Sequence, residues 1–325
     1  MRIFALSSTT AFGHEVARLL DREPDLHEER GFEDGEHKTR PLVSVRGHSV
    51  HVVQSLHGGP EEGVNDKLCK LLFFVATLKS NGAARVTAHV PYLAYSRKDR
   101  QTKSRDPVTT QSIARLLEAS GADCVVTLDV HNIVAFQNAF RCETVHLDTR
   151  RLFIDRLAER LSGRPVSVVS PDPGGVKRAQ LFREMLEGRL GRPVGQAFME
   201  KRRTAGVVTG ELLVGDVRGT LAIVVDDLIS SGGTMAKAAV ALRDHGAESV
   251  TCCAAHGLFT GNAEATLSRA ELDHILISDS VPPFRITSAF VASRCEIVSA
   301  APLFAGAIRC LEGSGSISAL LGEGA

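Results

Sequence analysis

Residues 220–234 read TLAIVVDDLISSGGT, and this stretch decides the fold. Leu221 through Val225 form an unbroken apolar run, the mark of a strand buried on both faces as in a parallel sheet. Asp226 and Asp227 fall where that strand must end. Ser230, Ser231, Gly232, Gly233 and Thr234 then make a small, hydroxyl-rich loop, and residues 235–245 (MAKAAVALRDH) read as a helix with Gly246 as its stop. A strand, loop and helix of this kind suit anion capture. Small residues let backbone N–H groups approach a phosphate, and the helix N-terminus adds a favourable dipole. The paired acids suit sugar hydroxyls or a hydrated Mg²⁺ beside that phosphate. No Gly-Lys-Ser/Thr follows, so this is not a Walker loop.

The string resembles the fingerprint of phosphoribosyltransferase-fold proteins, which implies that the acids bind ribose and the loop its 5-phosphate. The plain alternative is a connection with a solvated acidic turn. A lone DD or GG favours that alternative; the whole string favours ribose phosphate.

At 325 residues the chain has length for two cores, and 43% hydrophobic with 23% charged residues is ordinary for a soluble globular protein. Thirty-eight basic residues balance 38 acidic ones. No net field therefore points to nucleic acid or an anionic membrane, and local clusters must do any phosphate binding. No apolar run reaches membrane-spanning length, and the start, MRIFALSSTTAFGHE, turns polar too soon for a secretory signal. Seven cysteines without a CxxC pair read as reduced thiols, so a cytoplasmic location is expected.

Patterning predicts strands at residues 2–7, 50–54, 85–90 and 124–128, with helices at 10–20, 65–79 and 111–119. Residues 21–37 are charged and read as a connection ending in FEDGE, residues 32–36. PYLAYSRKDRQTKSRDPVTT, residues 91–110, is polar, basic and aperiodic, and reads as a long loop. Helices at 150–161 and 176–186 follow, with strands at 166–169, 221–225, 250–254 and 275–278. This alternation predicts two α/β domains, each a mainly parallel sheet flanked by helices, meeting near residues 146–149. The expected division is residues 1–148, 149–301 and a C-terminal segment, 302–325, whose small-residue tail from Gly313 is expected to fray.

Five further constellations carry chemistry. Lys201-Arg202-Arg203 is a cationic triplet, most often a solvated face, whose value rises beside phosphates. In Asp129-Val130-His131, strand alternation places Asp129 and His131 on one side, fit to help hold a divalent ion; a histidine bonded to nearby backbone is the bland reading. Asp172, in SPDPGG, lies at a sheet's carboxyl edge or in an ordinary turn. Arg97, Lys98, Asp99 and Arg100 form an ionic run suited to a triphosphate or simply solvated. In FEDGE, Phe32 suits stacking on a base and Asp34 and Glu36 suit an exocyclic amine or ribose; the alternative is a hairpin turn on Asp-Gly.

Taken in order, FEDGE, PYLAYSRKDR, DVH, VSPDPGGVKRAQ, KRR, VDDLISSGGT and HGLFTGNA resemble the ribose-phosphate pyrophosphokinase family over essentially the whole chain. Residues 302–321 resemble the family's C-terminal segment. The resemblance implies transfer of the β,γ-diphosphate of MgATP to the anomeric hydroxyl of ribose 5-phosphate, giving PRPP and AMP. It further implies that Asp226, Asp227 and Ser230 to Thr234 hold ribose 5-phosphate. Lys201 and Arg203 would sit on a flexible loop closing over the transferring diphosphate. His131, Asp172 and with them Asp129 would contact Mg²⁺ or its waters. Arg97 and Lys98, within the run that ends in Asp99 and Arg100, would take ATP phosphates. Phe32, Asp34 and Glu36 would take the adenosine from a neighbouring subunit, in a dimer-based homo-oligomer of up to six chains.

The chain departs from the family's common bacterial form at Ser230, often Asp, at Lys98, often Gln, and in having fewer basic residues after Arg100. Three rivals are a PRPP-consuming phosphoribosyltransferase, a non-catalytic regulatory relative, and a nucleic-acid regulator on the same fold. The first gives no role to FEDGE, the basic loop or KRR. Intact Lys201, Arg203, His131 and Asp172 oppose the second, and zero net charge opposes the third.

Overall fold

The computed structural model describes residues 1–161, 163–204, 207–269 and 271–322; of residues 201–211 it describes only backbone. Two compact units emerge, one of Met1–Asp148 with Ser299–Ala325, the other of Thr149–Val298.

The first unit alternates strands and helices: β1 (Arg2–Ala5), α1 (Thr10–Arg18), β2 (His27–Gly31), β3 (His37–Pro41), β4 (Ser49–Val53), α2 (Val64–Ser80), β5 (Arg85–Val90), α3 (Thr109–Ala119), β6 (Cys124–Leu128), α4 (Ile133–Ala139) and β7 (Glu143–Leu147). Five strands pair in the order β1-β4-β5-β6-β7, all parallel. The central strands are apolar runs because helices cover both faces; every residue of β6 is buried. Helix α2 starts with its own device, since the Asp66 carboxylate accepts the Gly63 N–H at 2.7 Å. Its Leu71, Phe74, Val75 and Leu78 enter the core with Val50, Val52, Val86 and Ala88.

The charged segment expected to be a connection is instead an antiparallel hairpin, β2–β3. Its strands are polar because the ribbon lies outside the main sheet, and cross-strand pairs such as Glu28 with Arg40 and Lys38 support it. FEDGE is its turn: Gly35 takes φ +89°, a conformation open to glycine, and Phe32 N–H donates to the Glu36 carbonyl.

The second unit contains α5 (Arg150–Leu157), β8 (Val166–Ser170), α6 (Val176–Leu190), β9 (Gly195–Thr204), β10 (Val207–Val214), β11 (Leu221–Ile229), α7 (Gly233–Asp244), β12 (Ser249–Gly257), α8 (Ala263–Ser268), β13 (His274–Ser278), α9 (Ser288–Arg294) and β14 (Cys295–Val298). Among the described residues its sheet runs β10-β9-β8-β11-β12-β13-β14, parallel except where β10 folds back on β9. The β9–β10 hairpin has no counterpart among the predicted strands, because its polar, cationic stretch lacks an apolar period.

The chain then returns to the first unit as α10 (Ala301–Glu312) and α11 (Ile317–Leu321). Phe304 of α10 packs edge-on against Phe12 of α1, ring centroids 5.4 Å apart. The tail expected to fray is helical at residues 317–321, capped by Ser316, whose hydroxyl accepts the Ala319 N–H at 3.2 Å. All seven cysteines are free thiols, and Cys124, Cys252 and Cys253 are buried. Among the described residues no helix is long and apolar enough to cross a membrane.

Candidate active site

In the second unit the site grows from the unequal pairing of β11. Its partner β8 accompanies it only from Leu221 to Val224, whereas β12 continues to Ile229. Asp226 and Asp227 thus lie inside the strand, past the last residue paired with β8, at the carboxyl end where α/β sheets place ligands. The strand is longer than its apolar run because β12 still satisfies one edge of its backbone. Asp227 is buried and Asp226 half-buried. The Asp227 N–H donates to Asp226 Oδ1 at 2.8 Å. Burial, and then the neighbouring Asp227, push the Asp226 carboxyl up to about 8, against the pull of Arg178.

Arg178, in the first turn of α6, lies with one guanidinium nitrogen 3.3 Å from Asp226 Oδ1 and 3.5 Å from Asp227 Oδ1. Sequence reading missed it. Its motif, GGVKRAQ, places a cation within the first turn after a glycine pair, a usable signal once the neighbouring strand's acids are known. The same turn holds Asp172, exposed, whose Oδ1 accepts the Gly175 N–H at 2.9 Å. Gly175 is required by contact, since a Cβ there would lie 2.7 Å from Ser170 Oγ.

The loop after β11 is held by the residues that follow β12. Leu258 and Phe259 N–H both donate to the Ile229 carbonyl, at 2.9 and 3.1 Å, and Thr260 N–H donates to the Ser230 carbonyl at 3.0 Å. The Ser230 and Thr260 hydroxyls meet at 2.9 Å. Gly232 takes φ +79°, and a Cβ on it would stand 2.8 Å from Leu267 Cγ. Ser231 and Thr234 remain exposed at the start of α7. The result is a loop of small side chains leading into the N-terminus of α7, three residues after the two acids in the chain. Lys201 and Arg203 lie in β9, paired with Glu211 and Val208 of β10. The backbone here is a strand rather than the expected loop, and the side chains lie outside the described residues.

In the first unit, Phe32, Asp34 and Glu36 are all exposed on the hairpin turn, with the Arg30 guanidinium 5.3 Å from the Phe32 ring centre. The basic loop after β5 is shaped by Asp106. That carboxylate accepts from Lys98 Nζ at 2.6 Å, from Thr102 Oγ1 at 2.7 Å, and from the N–H groups of Thr102 and Lys103. These bonds, Lys98 first, hold its carboxyl well below the usual carboxylate range. Lys98 is therefore paired within the loop, while Arg97 and Arg100 are exposed. Asp99 accepts from Asn132 Nδ2 at 2.7 Å, tying the loop to the residue after His131.

The strand β6 ends at Leu128, and Asp129 takes φ +38° in the left-handed region. Strand alternation therefore does not relate Asp129 to His131, contrary to expectation. A buried aspartate held in this conformation stores local strain, a feature that clusters at functional sites. His131 is exposed, and Asn132 caps α4 by accepting the Val134 and Ala135 N–H groups.

Comparison with known proteins decides the family. Residues 1–121 match the profile of the N-terminal domain of ribose phosphate pyrophosphokinase, and residues 208–322 match the phosphoribosyl synthetase-associated domain. A ribose-phosphate pyrophosphokinase of Caldanaerobacter subterraneus subsp. tengcongensis is 37% identical over 321 residues, covering 98% of this chain and 97% of that one. This chain belongs to the ribose-phosphate pyrophosphokinase family. A pyrophosphokinase of Hyphomonas neptunium is 33% identical, with 98% and 99% coverage. The crystal structure of phosphoribosylpyrophosphate synthetase from Mycobacterium smegmatis superposes with a TM-score of 0.87 at 32% identity, covering 97% of this chain and 99% of that one. Both pyrophosphokinase halves are thus present along a single chain.

Proposed function

We propose that the chain is a ribose-phosphate diphosphokinase, transferring the β,γ-diphosphate of ATP to the 1-hydroxyl of ribose 5-phosphate with release of AMP. The observation that carries this reading is the end of β11: paired acids held by Arg178, followed by a loop of small hydroxyl residues at a helix N-terminus. Ser231, Gly232, Gly233 and Thr234 present hydroxyls and amides to a 5-phosphate, and Ser230 is braced by Thr260. Asp226 and Asp227 accept from ribose hydroxyls, which fixes the 1-hydroxyl for in-line attack. Lys201 and Arg203 neutralise charge on the transferring diphosphate. The second unit thus serves ribose 5-phosphate and the first serves the nucleotide. Phe32, Asp34 and Glu36 contact adenosine, and Arg97, Lys98, Asp99 and Arg100 form the phosphate-binding loop, with Lys98 exchanging Asp106 for phosphate oxygens.

Among the described residues no three His, Cys, Asp or Glu side chains form a ready metal cage. Mg²⁺ suits that arrangement, because it keeps most of its waters and needs only one or two carboxylates besides substrate phosphates. In the first unit Asp129 would offer a hard oxygen donor and His131 a water-bridging partner, and in the second unit Asp172 would offer a hard oxygen donor. When bound, the ion supplies charge neutralisation on the diphosphate. The chain works in the cytoplasm as a homo-oligomer whose hairpin turn serves a neighbouring subunit. It needs neither nucleic acid nor membrane.

Purified protein with MgATP tests this reading. AMP and PRPP should form together only when ribose 5-phosphate is present, and Lys201→Ala should lose about a hundredfold in rate. ADP as the product would overturn it.

A further inference from the structure

The turn of residues 32–36 is exposed, and its aim depends on what anchors the hairpin. One carboxylate fastens its β2 strand. Glu29, three residues before Phe32 on β2, is largely enclosed, with 11% of its side chain exposed. Its Oε1 accepts the Ser7 N–H at 2.6 Å and meets His27 Nε2 at 2.9 Å. Its Oε2 accepts Ser7 Oγ at 2.8 Å and Lys70 Nζ, on α2, at 3.3 Å. Lys70 is also paired with Glu62, so the charges continue into the segment preceding α2. Burial works against the charge, but the bonds from His27, Ser7 and Lys70 prevail and hold the carboxyl down at about 2.

The anchor points are themselves fixed. Ser7 opens a short 3-10 turn whose next residues are fastened to the end of β4: Gln54 Nε2 donates to Ser8 Oγ and Ser55 N–H to Thr9 Oγ1, each at 2.8 Å. His27 sits against the rings of Phe4 and Phe74 in the core, at centroid distances of 6.0 and 5.6 Å. The other strand, β3, packs along α2, where Thr39 is buried and His37 stacks on exposed Phe73 with ring centroids 5.5 Å apart. A two-stranded ribbon is marginal by itself, so its direction is set by such ties.

We propose that Glu29 is a positioning residue for nucleotide binding: by fastening β2 to Ser7 and Lys70, it fixes the direction in which the hairpin presents Phe32, Asp34 and Glu36. The inference rests on the nucleotide reading of that turn. Glu29 touches no substrate. Its charge and length matter because a carboxylate alone accepts all four donors at once.

The test is steady-state kinetics of the full-length protein with Glu29→Gln, Ser7→Ala and Phe32→Ala, with thermal midpoints measured alongside. The glutamine keeps the volume but turns a donor toward Ser7 or Lys70. Glu29→Gln should raise KM for ATP about tenfold, with kcat and KM for ribose 5-phosphate within about twofold. Ser7→Ala, which keeps the backbone bond, should shift KM for ATP in the same direction by about threefold. Glu29→Gln that leaves KM for ATP unchanged while Phe32→Ala raises it sinks the positioning role alone. Phe32→Ala without effect on KM for ATP sinks the nucleotide reading of the turn, and the inference with it. Equal loss in kcat and both KM values, with a lowered midpoint, makes Glu29 merely structural and overturns the proposal.

Discussion

Replacing Asp226 by asparagine should stabilise the protein at alkaline pH while damaging its activity. Asp226 is half-buried beside Asp227, and burial, then that neighbouring carboxylate, push its carboxyl up to about 8 in the folded state. In the unfolded chain an aspartate titrates near ~3.9. Between those values the native state holds a proton that the unfolded state has lost, so stability falls as pH rises through the window. Each pH unit is worth about 1.4 kcal/mol, so the full interval to pH 7 corresponds to roughly 4 kcal/mol as an upper bound. Against this, asparagine weakens the contact of this side chain with Arg178, a loss of about 1–2 kcal/mol for a partly exposed pair. The net expectation for Asp226→Asn is about 2 kcal/mol of stabilisation at pH 8, shrinking toward zero at pH 5. For a protein of this size that is about 4–8 °C in thermal midpoint. Scanning fluorimetry of both proteins at several pH values in one buffer series reads it directly. A variant that is less stable at pH 8, or whose advantage is the same at pH 5, refutes the reasoning. Such a gain at the expense of activity is the usual signature of charges gathered for a ligand.

Four further outcomes follow from the same geometry. Arg178→Gln removes the guanidinium that bridges Asp226 and Asp227; KM for ribose 5-phosphate should rise about tenfold or more with KM for ATP unchanged, as steady-state kinetics would show. Gly232→Ala combines φ +79° with a Cβ 2.8 Å from Leu267, and should cost about 1–2 kcal/mol of stability by denaturant titration, together with ribose 5-phosphate affinity. In the first unit His89 is fully buried against His51 at 2.8 Å, and burial, then His51, hold it well below the usual histidine range. The unfolded chain takes up that proton first, so this contribution to stability is present above pH ~6.5 and is lost as pH falls; His89→Gln should flatten the decline in midpoint between pH 7 and 5. Asp106→Asn weakens the acceptor that orders the Thr102 and Lys103 N–H groups and so loosens the basic loop, and should raise KM for ATP several-fold while leaving KM for ribose 5-phosphate alone.

Much of the fold was legible because buried parallel strands are apolar runs: β6 was placed at its observed limits, and α1, α2 and α3 within two residues at each end. What escaped were ribbons whose sequence shows no clear alternation. The hairpin β2–β3 is polar because it lies off the main sheet, and β9–β10 carries the cationic triplet, so neither shows a readable period. The acids after Val225 were readable as a pair, but the strand runs on through them because β12 outlasts β8. Long-range partners were not readable at all. Arg178 lies 48 positions from Asp226, and Glu29 meets Lys70 across 41. Nothing local marks either contact. Asp129 escaped for a different reason, since a single left-handed residue cancels the alternation assumed for Asp129 and His131.

The central claim is that ribose 5-phosphate takes two phosphoryl groups from ATP in a single displacement. ATP labelled at its β-phosphorus tests it most directly, with products separated after partial turnover. The account predicts label in PRPP and none in AMP, in amounts equal to the AMP formed, and no turnover without ribose 5-phosphate. Label retained in ADP, or AMP formed without the sugar phosphate, would contradict it.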